Sequence, residues 1–486
     1  MSLPSELIEE IFQYLSAADL CRAALCSRRW RRASNQDSFW RPLCRLKSWE
    51  RYGTVTDLSE IVPYELAHRS TTGASSHQSQ CKDAFPGCGI VTGDDQAGLD
   101  GTCKWKQIYM KASRLEKNWE QGKYHVSKFN PFSEYVFQRG RVIRSMQAEG
   151  NYLVYLQEGE IRIWDINRST CKYVLPVEFP CRCLLVKQGI IVADCIDDPD
   201  DRNDEDGVIR AFSLQTGEAL KVLHGYRNDP QTRYKETETY FDGETVVKSA
   251  VHGIYVWSVL DGACQHILET PSEEAYFISL DFKDKMVAAV YGDNSLRLWD
   301  SRSGACVLIM RNEGDVMTSC KLGDGIVVGV ADLVLHIWST ESGDLLRSFS
   351  VSSDARSPWL RKWQYGVNCQ FLGGILLVSY EESFCPSKHY AYNLKGELLP
   401  RRLGYWGSVN VIAHGNRCII GQELRRDHDG CFFHMYKGTK NDLRYMYSCN
   451  LKQPVCMTDT CIVFNDKTPK AFHGEEIQTY TIYHFL

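Results

Sequence analysis

Between Ser5 and Leu15 the apolar residues Leu7, Ile8, Ile11, Phe12 and Leu15 recur every three or four positions, the period of one helix face, and Pro4 and Ser5 stand where such a helix starts. Ser16 and Asp19 offer N-terminal caps for a second helix, with Leu20 and Leu25 expected to turn inward. A third stretch carries Trp30 among Arg28, Arg29, Arg31 and Arg32, and Phe39-Trp40 and Leu43-Cys44 follow. A segment of about forty residues buries only a small share of its unfolded surface. With so many large apolar side chains it is expected to complete its core elsewhere, against another protein or as a cap on its own chain.

Beyond it, residues from about 59 to 101 are rich in Ser, Thr, Gly and Asp and poor in aliphatic clusters, the composition of a flexible insertion. Helical periodicity returns with Trp105, Ile108, Tyr109, Ala112, Leu115 and Trp119, which predict a helix over about 103–119. From Glu160 the pattern changes to alternating apolar stretches that end in an aromatic residue and a turn. Trp164, Phe212, Trp257, Trp299, Trp338, Tyr392, Tyr436 and Tyr480 mark eight copies, at intervals of 48, 45, 42, 39, 54, 44 and 44 residues. A period of roughly 40 to 45 residues built of short strands predicts a β-propeller. Turn signals such as Gly150-Asn151, Asp242-Gly243, Asp324-Gly325 and Gly415-Asn416 precede apolar strands, as hairpins require. Eight aromatic strands argue for eight blades, with seven blades and an irregular flap as the alternative. Lys123 to Phe129 is expected to supply the strand that closes the ring against the C-terminal strands.

The ordered set Leu3-Pro4, Ile11-Phe12, Asp19-Leu20, Trp30 and Phe39-Trp40 resembles the F-box, the helical module that docks substrate receptors onto the Skp-family adaptor of SCF-type cullin-RING ubiquitin ligases. The resemblance implies that Leu3, Pro4, Leu7, Ile11, Leu15 and Leu20 face the adaptor. The repeats from about Gly122 to Leu486 resemble WD repeats, although only Trp164-Asp165 and Trp299-Asp300 keep the Trp-Asp dipeptide and the Gly-His dipeptide is absent, His224-Gly225 being its reverse. The expected organisation is therefore an all-α F-box over 1–46, a linker over 47–121 that contains the insertion and the helix, and an all-β WD-type propeller over 122–486. F-box/WD-repeat proteins carry a helical linker in this place. A rigid one would hold a substrate within reach of the ubiquitin-charged enzyme and raise its effective concentration.

Loops on a propeller rim are the expected place for a protein client. The stretch from Ser350 to Gly366 carries Arg356, Trp359, Arg361, Lys362 and Trp363, a basic and aromatic set suited to a phosphate or acidic peptide with an apolar anchor. Arg401, Arg402, Tyr405 and Trp406, with Arg425 and Arg426, come from neighbouring repeats and could complete one basic patch. Asp194 to Asp206 holds eight acidic residues against Arg202 alone, either a receptor for a basic segment or a solvated loop.

Composition narrows the classes. A net charge of −5 offers no broad electrostatic footprint for nucleic acid. The acidic Glu6, Glu9 and Glu10 lead into no apolar run of signal-peptide type, and runs such as 189–193 and 374–378 are strand-length, so neither export nor a membrane span is expected and the protein should be cytoplasmic, nuclear or both. The twenty cysteines, scattered through apolar strands, read as reduced thiols; Cys181-x-Cys183 and Cys456-x4-Cys461 lack partner pairs at zinc-site spacing, and no metal or cofactor is expected. No Gly-x-Ser-x-Gly or Gly-x4-Gly-Lys-Ser/Thr motif occurs, and neither a thioester cysteine nor a RING-like zinc framework is visible. The reading is a non-catalytic substrate receptor whose ligase activity comes from recruited partners. The alternative is a propeller interaction scaffold without a ubiquitin role, in which Leu7, Ile11 and Leu15 would be buried by the chain itself.

Overall fold

The computed structural model describes residues 4–54, 56–63, 101–129, 143, 145–157, 159–166, 168–177, 181–196, 206–227, 238–250, 253–269, 277–312, 314, 316–331, 333–351, 367–380, 388–399, 411–414, 417–423, 431–439, 442–450, 454–467 and 478–486. The expected insertion lies, from 64 to 100, outside them. The chain divides into two compact units, one of Met1–Ser127 with Asp459–Cys461 and Ile482–Leu486, the other of Lys128–Thr458 with Ile462–Thr481.

Among the described residues the first unit contains six helices: α1 Ser5–Phe12, α2 Ala17–Cys26, α3 Arg28–Ser34, α4 Asp37–Leu46, α5 Arg51–Thr54 and α6 Lys104–Gln121. Their starts follow from local chemistry. Ser16 Oγ accepts the Asp19 amide at 3.2 Å at the head of α2, and Ser27 Oγ accepts the Trp30 amide at 3.1 Å at the head of α3, so each hydroxyl satisfies a donor the helix leaves open. The 18-residue α6 ends at Gly122, whose φ of +63° lets the Lys123 amide reach the Asn118 carbonyl at 2.9 Å and the Gly122 amide reach the Trp119 carbonyl, a Schellman closure.

The unit's core is aromatic. Phe12 meets Trp30 and Phe39 edge-on, with ring centroids 5.6 and 6.2 Å apart, and Tyr109 of α6 meets Trp40 and Trp49 in the same way. Trp40 is buried and spends its indole N–H on the Ser34 carbonyl at 2.7 Å. The α6 stripe buries Trp105, Ile108, Ala112, Leu115 and Trp119, and it also buries Lys111. That ammonium donates to the carbonyls of Leu58, Ser59 and Ile61 at 2.8 to 2.9 Å, which makes burial of the charge tolerable; desolvation lowers its pKa. Trp119 stacks on Phe485 with centroids 3.6 Å apart and donates to the Asp459 carbonyl at 2.8 Å.

The strands form eight sheets, the blades of an eight-bladed propeller. Blades 1 to 5 and blade 7 are each four consecutive antiparallel strands; blade 6 has three among the described residues, Val367–Leu372, Ile375–Tyr380 and Lys388–Asn393. In blade 8, Pro454–Met457, Cys461–Lys467 and Gln478–His484 are joined by His125–Phe129, so a strand from far upstream closes the ring and leaves this sheet no missing fourth member. All eight aromatic markers fall on third strands. At Trp164, Phe212, Trp257, Trp299, Trp338 and Tyr436 the register to the outermost strand shifts immediately before the aromatic residue, a bulge that bends the strand there.

The cores of the second unit lie between neighbouring blades. Blades 1 and 2, for example, share Val154, Leu156, Ile163, Leu184 and Ile191, and blades 4 and 5 share Val290, Leu298, Met317 and Trp338. Carboxylates span the same seams. Glu149 accepts the Gln188 and Gly189 amides, Glu238 accepts the Leu280 amide, and Asp281 accepts the Leu322 amide at 2.7 Å and the Lys321 ammonium at 2.6 Å. At the rim, Gly304 with φ +69° rests against the blade 3 residue His266, whose Nδ1 would lie 2.6 Å from an added Cβ, so only glycine fits.

Candidate functional site

The helix α1 has apolar residues on two faces, and the structure separates them. Ile8 and Phe12 are buried, whereas Leu7 and Ile11, also one helical turn apart, are 46% and 50% exposed. Tyr14, in the turn that follows, is 85% exposed. Pro4 is exposed at the helix start and Leu15 is half-buried; Leu3 lies outside the described residues. The rim of the exposed pair is polar and fixed. Arg29 donates to Ser5 Oγ at 3.1 Å, and Gln36 donates to Glu9 Oε1 at 3.0 Å, tying α1 to α3 and to the start of α4. The exposed leucine and isoleucine thus sit on a helix whose opposite face is held by Trp30 and Phe39.

Two expectations are corrected here. Leu20 is fully buried and belongs to the core of the unit, so it cannot join an exposed contact surface. Leu25, expected inward, is 85% exposed. The inward pair of α2 is Leu20 and Ala23; five residues turn a helix by about 140° beyond a full circle, which carries position 25 away from position 20. Tyr14 and Leu25 were not among the expected surface residues, and no periodic signal singles them out.

Below this face the unit is locked by charge. Arg45 and Arg41 of α4 bond Glu50 at 2.8 to 2.9 Å and hold its carboxyl down to about 2. Asn35 bridges to the start of α6, donating to the Gly101 carbonyl at 2.6 Å and accepting the Cys103 amide at 2.9 Å, while Asp37 accepts the Trp105 amide at 2.8 Å. These bonds cap α6 and fix α3 and α4 against it.

The second expected site cannot be assembled in the same way. Arg356, Trp359, Arg361, Lys362 and Trp363, Arg401, Arg402, Tyr405 and Trp406, and Arg425 and Arg426 all lie outside the described residues. Of the acidic run, residues 197–205 lie outside them too, and Asp194 is no loop charge. Its carboxylate is buried against the equally buried Lys248 ammonium and accepts Thr239 Oγ1 at 3.0 Å, a bond between the strands of blades 2 and 3. Titratable groups do gather at the next seams, where Glu238, Asp281 and Lys321 meet. Burial pushes the Glu238 carboxyl up to about 7, although the Leu280 amide favours its ionised form. Each of these groups is spent on a neighbouring strand, as structural carboxylates are. Among the described residues no three His, Cys, Asp or Glu side chains form a candidate metal site, and no helix is long and apolar enough to cross a membrane.

Residues 1–46 match the F-box-like family. Among curated proteins the chain is similar to a probable E3 ubiquitin ligase complex SCF subunit, sconB, of Arthroderma otae, 27% identical over 168 residues that cover 34% of this chain and 22% of that protein. It is also similar to the F-box/WD repeat-containing protein pof1 of Schizosaccharomyces pombe, 23% identical over 196 residues that cover 34% of this chain and 31% of that protein. The chain thus spans less than a third of the length of these relatives. Among solved structures it is similar to the computationally designed Ika8 protein, 17% identical with a TM-score of 0.48, over 72% of this chain and 98% of that one.

Proposed function

We propose that this chain is the substrate-recognition subunit of an SCF-type ubiquitin ligase. In this reading Pro4, Leu7 and Ile11, flanked by Leu15, dock a Skp-family adaptor and through it a cullin-RING ligase. The helices of 47–121 set the geometry, and the propeller presents a protein client from the rim loops that carry Arg356, Arg361, Lys362, Arg401, Arg402, Arg425 and Arg426. Ubiquitin transfer is the chemistry of the recruited enzymes, and the site of action is the cytosol, the nucleus or both.

The observation that carries the reading is the half-exposed Leu7–Ile11 pair on a helix whose other two apolar residues, Ile8 and Phe12, are buried. A scaffold that used residues 1–46 as its own cap would bury those two side chains. An F-box-like match over the same residues and the names of two relatives point the same way. The test is a pull-down of purified Skp-family adaptor by the full chain and by a Leu7→Asp, Ile11→Asp variant. Since both positions are exposed, the variant should keep the parent's thermal unfolding and lose the adaptor. An intact chain that leaves the adaptor in solution overturns the reading in favour of the scaffold.

A further inference from the structure

We propose that Cys181 and Cys195, at the open end of the first hairpin of blade 2, are an oxidation site that closes into a cross-strand disulfide. The two residues are direct register partners on Cys181–Lys187 and Ile190–Ile196. Opposed residues in an antiparallel pair have Cα atoms about 4.5 to 5.5 Å apart. That separation falls inside the roughly 4.4 to 6.8 Å a disulfide accepts. The sulfurs are 2.7 Å apart as thiols, against about 2.05 Å in a disulfide, so closure needs a side-chain movement of less than an ångström and no backbone rearrangement. A register shift between Cys181 and Cys183 brings Cys181 opposite Cys195 where the regular register would place Arg182, while Cys183 pairs with Asp194.

The environment selects the oxidant. Both thiols are buried among Leu184, Ile191 and Ala193, which excludes a bulky disulfide such as oxidised glutathione and admits a small neutral hydroperoxide. Cys181, the less buried of the two, reacts first: its thiol gives up its proton, the thiolate attacks one oxygen of hydrogen peroxide, the O–O bond breaks, and the departing hydroxide takes up that proton, leaving sulfenic acid and one water. The Cys195 sulfur then attacks the sulfenic sulfur, the S–O bond breaks, and a second water leaves with the Cys195 proton. The net change is two thiols and one peroxide to one disulfide and two waters. The hydrogen bond with Cys181, together with burial, holds the Cys195 thiol far above its ordinary pKa, so the pair should react more slowly than exposed thiols and faster as pH rises.

Trypsin separates the three cysteines, since Arg182 lies between Cys181 and Cys183 and Lys187 lies before Cys195. The full chain is treated with hydrogen peroxide, remaining thiols are blocked, and the unreduced digest is examined by mass spectrometry. The expected product links the peptide 173–182 to the peptide 188–202, is lighter than the two free peptides by two hydrogens, and disappears on reduction. In a Cys195→Ser variant, Cys181 should instead accumulate sulfenic acid that a dimedone probe captures. The proposal is overturned if Cys183 is the partner, if the link forms only after unfolding in urea, or if Cys181 and Cys195 are still recovered as blocked thiols after exposure to peroxide for many times the interval that oxidises the exposed Cys21, Cys26, Cys264 and Cys306 in the folded chain.

Discussion

Ile11 and Phe12 are neighbours on one helix, and truncating each to alanine should produce opposite phenotypes. Ile11 keeps half of its surface exposed. Full burial of such a side chain contributes about 1.5 to 3 kcal/mol, so the half still available to a partner is worth about 0.8 to 1.5 kcal/mol, or about four- to twelve-fold in Kd. Ile11→Ala should weaken adaptor binding by that factor and leave amide exchange in α1 and α4 unchanged. Phe12 is buried, with edge-on contacts to Trp30 and Phe39. Phe12→Ala should cost about 3 to 5 kcal/mol of local stability, read as faster exchange of the same amides. Titration calorimetry with a Skp-family adaptor and hydrogen exchange by mass spectrometry measure the two quantities on the same samples. Faster exchange in Ile11→Ala equal to that in Phe12→Ala would refute the two-faced helix, and an unchanged Kd in a folded Ile11→Ala would refute its outward face as the docking surface.

Two further outcomes follow from buried groups. Glu238 ionises with more difficulty in the folded chain, at about 7 against an ordinary 4.5, so the native state binds more protons across that window and stability falls as pH rises from about 4.5 through about 7. Glu238→Gln, which keeps an acceptor for the Leu280 amide beside Ser279, Asp281 and Lys321, should flatten that slope in urea unfolding; an unchanged slope would assign it to other groups. Trp119→Ala removes the stack on Phe485 and the bond to the Asp459 carbonyl, and should destabilise α6 by about 3 to 5 kcal/mol in exchange measurements. Exchange at the parent's rate would mean that this contact adds nothing to the helix.

The propeller was legible because its signal repeats. Each aromatic marker lies on a third strand, so eight weak signals reinforced one another, and the ring closed with a strand from the Lys123–Phe129 stretch where a missing strand was required. The bulges beside those aromatics were not legible, since a register shift depends on the partner strand and leaves no local mark. Residue type also could not choose between the faces of α1. Leu7 with Ile11 and Ile8 with Phe12 are equally apolar pairs, and the choice is made by Trp30 and Phe39, which arrive from other helices. Lys111 illustrates the converse: a charge inside an apolar stripe is acceptable when three carbonyls converge on it, and those carbonyls come from about fifty residues upstream. The candidate site was legible as a segment, through its order of residue types, and only the packing resolved it into a contact face.

Blade 8 also imposes a schedule on biosynthesis. Its strand His125–Phe129 waits for Gln478–His484, and Trp119 and Tyr124 wait for their stacking partners Phe485 and Tyr483. Roughly 350 residues of chain lie between, about 20 to 70 s of translation at ordinary rates. Throughout that interval the nascent chain carries an unpaired strand edge and uncovered aromatic rings, the surfaces that make an incomplete chain prone to aggregation until its last residues are made.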